Sequence, residues 1–154
     1  MDRPARLQTR TFVGGVGSPA AGKTAYEYRV DLTQAVSDGE VPCVTDMSVD
    51  FGPVTQLEYN NVGPVDDVFV IVKGGLGTIG LYDVEQTGTV INFVFNQPVC
   101  AGPTPGSGHS SYFFGLTSAY PPKSISANVS VPGLDPIKVK ARGPNYVVRA
   151  PRKL

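Results

Sequence analysis

Short runs in which apolar and polar residues alternate recur along most of the chain. Residues 26–32 read Tyr-Glu-Tyr-Arg-Val-Asp-Leu, so every second side chain is apolar and those between are charged. This period of two is typical of a β-strand with one buried face, because a helix would spread the charges around its surface. Residues 43–51 alternate in the same way, and their predicted buried side chains are Cys43, Met47, Val49 and Phe51.

Three further segments are short runs of β-branched and aromatic residues with few polar interruptions. They are residues 68–72, 90–95 and 111–116. Runs of this kind are typical of central strands that are covered on both faces. Residues 7–13, near the N-terminal end, mix threonine with apolar side chains and predict one more strand.

The clearest local unit is a hairpin near the C-terminal end. Residues 124–131 alternate small polar side chains with apolar ones, and residues 137–142 alternate apolar side chains with basic ones. The segment 132–135 between them reads Pro-Gly-Leu-Asp, which has the composition of a turn. The pattern predicts an antiparallel pair whose outer strand is rich in lysine.

Together these segments predict the fold class. The 18 glycines and 14 prolines suit many short strands joined by turns, and no segment has a helical period. We predict an all-β, antiparallel β-sandwich of the jelly-roll or immunoglobulin-like kind, with about eight or nine strands. Residues 1–142 are expected to form the single domain, and residues 143–154 a basic tail docked on this domain or on a neighbour.

The charge distribution narrows the range of partners. The chain has 13 basic and 13 acidic residues, so no net field draws it to nucleic acid or to an anionic membrane. No apolar run has the length of a membrane span, and we expect no membrane insertion. Basic residues gather at both ends of the chain. If the two ends pair in one sheet, that sheet has a basic edge, which discourages aggregation.

The two cysteines bear on the compartment. A disulfide between Cys43 and Cys100 would stabilise the fold by roughly 4 kcal/mol and would indicate an oxidising compartment. The alternative is a pair of buried free thiols. The Met-Asp-Arg-Pro start has no signal-peptide core, so the chain is either cytosolic or begins after a removed signal. The favoured disulfide leads us to expect a secreted or cell-surface protein.

The segment Gly17–Thr24 matches the phosphate-loop pattern G-x-x-x-x-G-K-[ST]. Such a loop must lead into a helix, whereas Thr24 leads into the alternating segment 26–32. Asp66 and Asp67 precede their apolar run, so they do not take the position of a magnesium-binding aspartate at the end of a strand. We therefore predict a glycine-rich loop between strands.

His109 is the only histidine and lies in Gly-Ser-Gly-His-Ser-Ser. A hydrolytic group of serine, histidine and acid would need Ser110 or Ser111, but neighbours in sequence rarely form such a group, and no G-x-S-x-G turn is present. A surface-loop histidine is the preferred interpretation. We expect no enzyme activity and no cofactor.

A calcium site is the one metal site that the sequence allows. Calcium takes oxygen ligands, and four candidates occur in one predicted loop: Asn60, Asn61, Asp66 and Asp67. Their spacing fits no EF-hand, so an Asn- and Asp-rich turn is the preferred interpretation.

Tyrosines suggest an alternative ligand, because carbohydrate modules stack sugar rings on exposed aromatic residues. Tyr26 and Tyr28 share one face of a strand opposite charged neighbours and are predicted core residues. Residues near predicted turns are better candidates for a glycan site: Tyr59, Tyr82 and Tyr120.

A resemblance to known proteins is carried by four segments: the Cys43 segment, residues 66–70, residues 93–102 and residues 110–116. In these segments the chain resembles uncharacterised secreted domains of bacterial surface proteins. The resemblance implies a sandwich exported to the cell surface with a structural or adhesive role, and it brings no catalytic residues.

The expected function is therefore that of a non-catalytic extracellular module, structural or adhesive, that self-assembles through its terminal strands. Its partner would be a protein, either a second copy or another surface protein. The alternatives are a carbohydrate-binding module and a calcium-dependent binding domain.

Overall fold

The computed structural model describes residues 5–37, 42–59 and 64–146. These residues form nine β-strands and no helix. In chain order the strands are β1 (Arg6–Val13), β2 (Thr24–Asp31), β3 (Cys43–Asp50), β4 (Phe69–Ile71), β5 (Leu81–Thr87), β6 (Val90–Cys100), β7 (Phe113–Ser118), β8 (Pro122–Ser130) and β9 (Ile137–Pro144).

The strands form two antiparallel sheets that pack face to face. One sheet has four strands in the order β1-β2-β7-β4, and the other has five in the order β5-β6-β3-β8-β9. The predicted antiparallel β-sandwich is therefore confirmed. The predicted hairpin near the C-terminal end is the β8–β9 pair, which places the lysine-rich β9 at the edge of the larger sheet.

An aromatic cluster joins the two sheets. The ring of Tyr28 in β2 packs against both Phe93 of β6 and Phe114 of β7, with ring centroids 6.3 and 6.2 Å away, and the two phenylalanine rings contact each other at 4.8 Å. Tyr26 meets the ring of Phe51 edge to face. Tyr26 and Tyr28 are both fully buried, as their alternation with charged residues predicts. Contacts of this kind add to the stabilisation from burial alone.

A β-bulge changes which side chains of β3 face the core. The register of β3 on β6 shifts between Val44 and Asp46. The alternation of buried side chains in β3 reverses across this irregularity, so Val44 is 2% exposed and lies in the core together with Met47, whereas Cys43 is only half-buried. The prediction that Cys43 shares the buried face with Met47 is therefore wrong.

The apolar runs take different positions in the sheets. Of residues 68–72, only β4 is a strand, and it is an edge strand; β6 is buried on one face only. Both were predicted to be covered on two faces, and that prediction is wrong. β7 is buried at every residue. Its outer face is covered because the Arg10 guanidinium lies 3.6 Å from the ring centroid of Phe113.

Cys43 and Cys100 form the predicted disulfide. They are direct partners in the β3–β6 ladder, with Cα atoms 4.0 Å apart, although 57 positions separate them in sequence. The bond links β3 covalently to β6. It lies in the same ladder as the bulge, so it fixes the pairing of the two strands at the Cys43 end, beyond the bulge.

Replacing both Cys43 and Cys100 by serine should lower the free energy of unfolding by roughly 2–5 kcal/mol, because the unfolded chain then gains the freedom of a long open loop. Urea denaturation without reductant measures the effect. The wild-type protein treated with reductant is the matched control and should unfold at the same urea concentration as the double variant. An unchanged midpoint in the double variant would contradict the prediction.

The charged face of β2 is buried rather than open to solvent. Glu27, Arg29 and Asp31 alternate with the core tyrosines, as the sequence shows, yet they are only 6%, 6% and 8% exposed. Arg29 donates hydrogen bonds to Ser110 Oγ, to the Ser111 carbonyl, to Gln8 and to Asp31. No buried side-chain nitrogen or oxygen of the described residues lacks a partner. Buried charges of this kind are tolerated when they are paired and hydrogen-bonded.

Glu27 is paired separately, with an arginine of the neighbouring strand. Arg10 of β1 donates to the Glu27 carboxylate at 2.7 Å, while its guanidinium also lies on the Phe113 ring. This single side chain therefore covers both an acid and an aromatic ring on the outer face of the smaller sheet. The arrangement explains why the charged face of β2 is not exposed to solvent, although its residues alternate with period two.

Asp31 should make stability depend on pH. Burial alone would raise the pKa of Asp31, but the hydrogen bonds from Thr33 and the charges of Arg29 and Arg6 together lower it. The unfolded chain therefore takes up this proton first as the pH falls, so the contribution is complete above about pH 4 and is lost below it. Urea denaturation at pH 7, 5 and 3 should show a smaller loss of stability on acidification for Asp31→Asn than for wild type. Equal losses would contradict this assignment.

Candidate functional site

The sandwich is open along two sides, where the edge strands of the two sheets lie opposite each other. On one side β1 contacts β9, although the two strands belong to different sheets. The first and last strands, which carry the basic residues, are thus neighbours in space but belong to different sheets. The pairing of the two ends in one sheet, which the sequence analysis considered, does not occur between these strands. On the other side, β5 is the edge of the larger sheet.

The peptide groups of β9 alternate between β8 and the open side. The Arg142 N–H donates to Thr9 Oγ1 at 3.2 Å, and the Arg142 carbonyl accepts from the Tyr28 hydroxyl at 2.7 Å. Both partners belong to the opposite sheet, so the Arg142 peptide groups point away from β8. By the alternation of an antiparallel ladder, the N–H and C=O groups of Lys138 and Lys140 point the same way. No described residue pairs with them.

We call the free side of β9 from Lys138 to Lys140 the basic edge. The two lysine side chains are exposed on the outer face of the sheet. Ile137 and Val139 point to the inner face and line a small apolar recess of about 60 Å³ together with Leu7 of β1. The basic edge therefore combines free hydrogen-bonding groups, positive charge and an apolar recess, which is the combination that a docked strand uses.

Tyr28 closes the sandwich at one end of the basic edge. Burial raises the pKa of the Tyr28 hydroxyl, so this group stays protonated and donates to the Arg142 carbonyl. Beyond this point, toward Lys138, no such bond crosses from the smaller sheet among the described residues. The part of β9 whose main chain is accessible thus ends at Arg142, where the Tyr28 hydroxyl bonds to the carbonyl.

Tyr28→Phe should lower the free energy of unfolding by about 1 kcal/mol and speed amide exchange in β9, because the Arg142 carbonyl loses its partner. Tyr26→Phe is the matched control, since it removes an equally short bond to the Tyr120 carbonyl, outside β9. Hydrogen exchange followed by mass spectrometry should show faster exchange in β9 for Tyr28→Phe alone. Equal exchange in both variants would contradict the role given to Tyr28.

The opposite end of the larger sheet has the opposite charge. We call the free side of β5 the acidic edge, because Asp83 and Glu85 are exposed on the outer face of this strand. The inner-face side chains Val84 and Gln86 line a cleft of about 470 Å³. The adjacent Tyr82 is 81% exposed, an unusual position for a tyrosine in a folded domain.

β5 was not among the individually predicted strands. Its first half, Leu-Tyr-Asp, breaks the alternation, and the register shows why: a bulge lies between Leu81 and Asp83. A usable signal was the tight turn that follows. Thr87 pairs with Val90 around two residues, and Gly88 has φ of 62°, which favours glycine in a hairpin of this length.

The predicted calcium ligands are only partly within the described residues. Asn60 and Asn61 lie outside them. Asp66 and Asp67 are exposed, and the Asp66 main chain pairs with that of Leu57. The described residues contain no group of three or more histidine, cysteine, aspartate or glutamate side chains able to hold a metal ion. Calcium binding stays a prediction.

The tyrosines predicted to bind a glycan lie on three separate segments of the chain. Tyr59 is half-buried, stacks on Phe69 with centroids 4.8 Å apart and hydrogen-bonds Thr117. Tyr120 follows β7 and is partly buried. Only Tyr82, on β5, is well exposed. Glycan binding stays a prediction, and Tyr59 has a structural role in any case.

The segments that resemble catalytic motifs have structural roles here. Gly17–Thr24 connects β1 to β2 and leads into a strand, which confirms the predicted inter-strand loop. Ser110 Oγ accepts a hydrogen bond from buried Arg29, and Ser111 Oγ accepts from the Val30 N–H. His109 is exposed, and its Nδ1 accepts from the Cys100 N–H at 3.3 Å.

Neither a protein family, nor a curated protein, nor a solved structure matches this chain. The described residues contain no helix long and apolar enough to cross a membrane. The two charged edges of the larger sheet are therefore the features on which a functional proposal can be built.

Proposed function

We propose that this chain is a non-catalytic structural or adhesive module of an exported protein, and that it binds its partner by accepting a strand at the basic edge. One observation carries the proposal. The N–H and C=O groups of Lys138 and Lys140 are directed away from β8, and no described residue pairs with them.

An added strand would satisfy these groups. Main-chain hydrogen bonds supply affinity in this mode of binding, and the pockets beside the strand supply selectivity. Here the recess lined by Ile137 and Val139 favours an apolar side chain on the inner face. Lys138 and Lys140 favour an acidic side chain on the outer face, since opposite charges on neighbouring strands attract.

The same lysines explain why the edge does not simply pair with itself. Lysine on an edge strand discourages contact between identical edges, because like charges would face each other. A basic edge therefore pairs poorly with a second basic edge and pairs well with an acidic strand. The lysines thus make the edge selective for its partner and also protect it against aggregation.

The proposed location outside the cytoplasm is supported by the disulfide. Cross-links between Cys pairs persist in secreted and surface proteins and are rare in the cytosol. The resemblance of residues 93–102 and 110–116 to secreted surface domains is in keeping with this proposal. An extracellular module is also stabilised by a covalent link between strands.

Lys140→Pro tests the proposal, because it removes an N–H that β8 does not use and so leaves the β8–β9 ladder intact. The probe is a fluorescein-labelled peptide in which valine and glutamate alternate. Fluorescence anisotropy at low salt should show binding to wild type and a loss of about tenfold or more in affinity for Lys140→Pro, as expected when hydrogen bonds to the strand are lost.

Lys140→Gln is the matched control, since it removes the charge and keeps the N–H. It should bind the peptide only a few-fold more weakly than wild type. Circular dichroism and thermal melting verify that both variants are folded. If folded Lys140→Pro binds the peptide as tightly as wild type, or if wild type does not bind it at all, strand addition at the basic edge is wrong.

A further inference from the structure

We infer that the strand accepted by the basic edge is β5 of a second copy of this chain, so that copies join head to tail into an open filament. The inference rests on the proposed function and names its partner. The juxtaposition behind it is that one sheet begins with the acidic edge and ends with the basic edge.

The directions of the strands permit this contact. Each neighbouring pair in the order β5-β6-β3-β8-β9 is antiparallel, so β5 and β9 run in the same direction. A second copy in the same orientation therefore places its β5 parallel to β9 of the first. The outer faces of both sheets then lie on the same side.

The free peptide groups of β5 can be identified in the same way as those of β9. The Asn96 N–H donates to the Gly80 carbonyl at 3.0 Å, which shows that even-numbered residues of β6 turn their peptide groups toward β5. Their direct partners Asp83 and Glu85 therefore bond to β6. The N–H and C=O groups of Val84 and Gln86 must point to the acidic edge.

This alternation matches what a parallel ladder requires. In such a ladder, a residue that bonds across the pair sits opposite one that does not, and it bonds to the two residues on either side of it. With Lys140 opposite Glu85, the Lys140 N–H reaches the Val84 carbonyl and the Lys140 carbonyl reaches the Gln86 N–H. The free groups of one edge thus meet those of the other.

The same register pairs the charges. Lys138 comes opposite Asp83 when Lys140 is opposite Glu85, because each pair is two residues apart on its strand. All four side chains lie on the outer face of the sheet. Opposite charges on directly facing positions stabilise a pair of strands.

The inner faces are also compatible. Val139 lies beside the recess at the basic edge, and Val84 lines the cleft at the acidic edge. Both are partly buried and pack against the core, so each has apolar surface left to cover. In the proposed register these two side chains become neighbours, and the contact removes that surface from water.

Each end of the smaller sheet carries charge of the same sign as the adjacent edge of the larger sheet. Exposed Arg6 lies on β1, beside the basic edge. Exposed Asp66 and Asp67 precede β4 at the other end of this sheet, and Asp67 lines the same cleft as Val84. The molecule is therefore polar across both layers, with a basic side and an acidic side, although its net charge is zero.

This polarity favours an open chain over a closed dimer. A two-fold axis normal to the sheet would pair β9 with β9 or β5 with β5, which places lysine on lysine or acid on acid. The contact between β9 and β5 uses two different surfaces of the molecule, so it does not stop at a dimer but continues from copy to copy. The twist between neighbouring strands then coils the filament.

Two charge-reversed variants test the inference. Lys138→Glu/Lys140→Glu has two acidic edges, and Asp83→Lys/Glu85→Lys has two basic edges. Wild type should grow in mass with concentration at low salt, as measured by sedimentation velocity. Each variant alone should associate at least about tenfold more weakly, because every contact brings like charges together. An equimolar mixture should form long assemblies again, since the two variants alternate along the chain.

The mixture separates the inference from two-fold pairing. Dimers in the mixture, without larger species, would show β9–β9 or β5–β5 contacts and overturn the inference. A mixture that stays monomeric while wild type assembles would overturn it as well. Removing residues 147–154 should leave assembly unchanged, and loss of assembly on this truncation would assign the donated strand to that segment instead of β5.

Failure of the inference can be told from failure of the proposed function. If wild type stays monomeric at low salt and still binds the alternating valine and glutamate peptide, the basic edge accepts strands but β5 of a second copy is not the partner. If wild type neither assembles nor binds the peptide, both proposals are wrong.

Discussion

An open β-sandwich must leave peptide groups without a partner at the edges of its sheets, and this constraint determines the character of edge strand β9. The unpaired peptide groups of β9 are treated in two ways. At one end of β9, side chains from the opposite sheet satisfy the main chain: Tyr28 donates to the Arg142 carbonyl, and Thr9 accepts from the Arg142 N–H. Further along the strand, lysines stand beside peptide groups that no described residue satisfies.

The two solutions are linked through the core. Tyr28 packs its ring against Phe93 and Phe114 and places its hydroxyl at the edge strand, so one residue joins the sheets and limits the open part of β9. The disulfide acts two strands away, where it holds β3 to β6. The rigid frame of the larger sheet therefore carries acidic and basic edges at a set spacing, which is what a repeating contact requires.

The charges on the outer face of the smaller sheet differ from those at the edges of the larger sheet. Its charges are buried, paired and covered by the Arg10 side chain, so they contribute to the fold and leave little for a ligand to bind. The charges of the acidic and basic edges have no such partners among the described residues, whereas other exposed charges of the larger sheet are paired, as Asp50 is with Tyr146 and Arg142 with Ser124. Burial and pairing thus separate the structural charges of this chain from those available for recognition.

The sequence by itself determined the all-β class and every strand except β5, the hairpin that ends in lysines, the buried tyrosines of β2 and the loop character of Gly17–Thr24. These follow from alternation and turn composition, which are properties of neighbouring residues. Only the tertiary structure decided that β4 is an edge, that a bulge turns Val44 inward, that Glu27 and Arg29 are buried, and that β5 exists as an acidic edge opposite β9. The physical reason is that period two identifies the two faces of a strand, whereas its neighbours and its cover are set by residues far away in the chain.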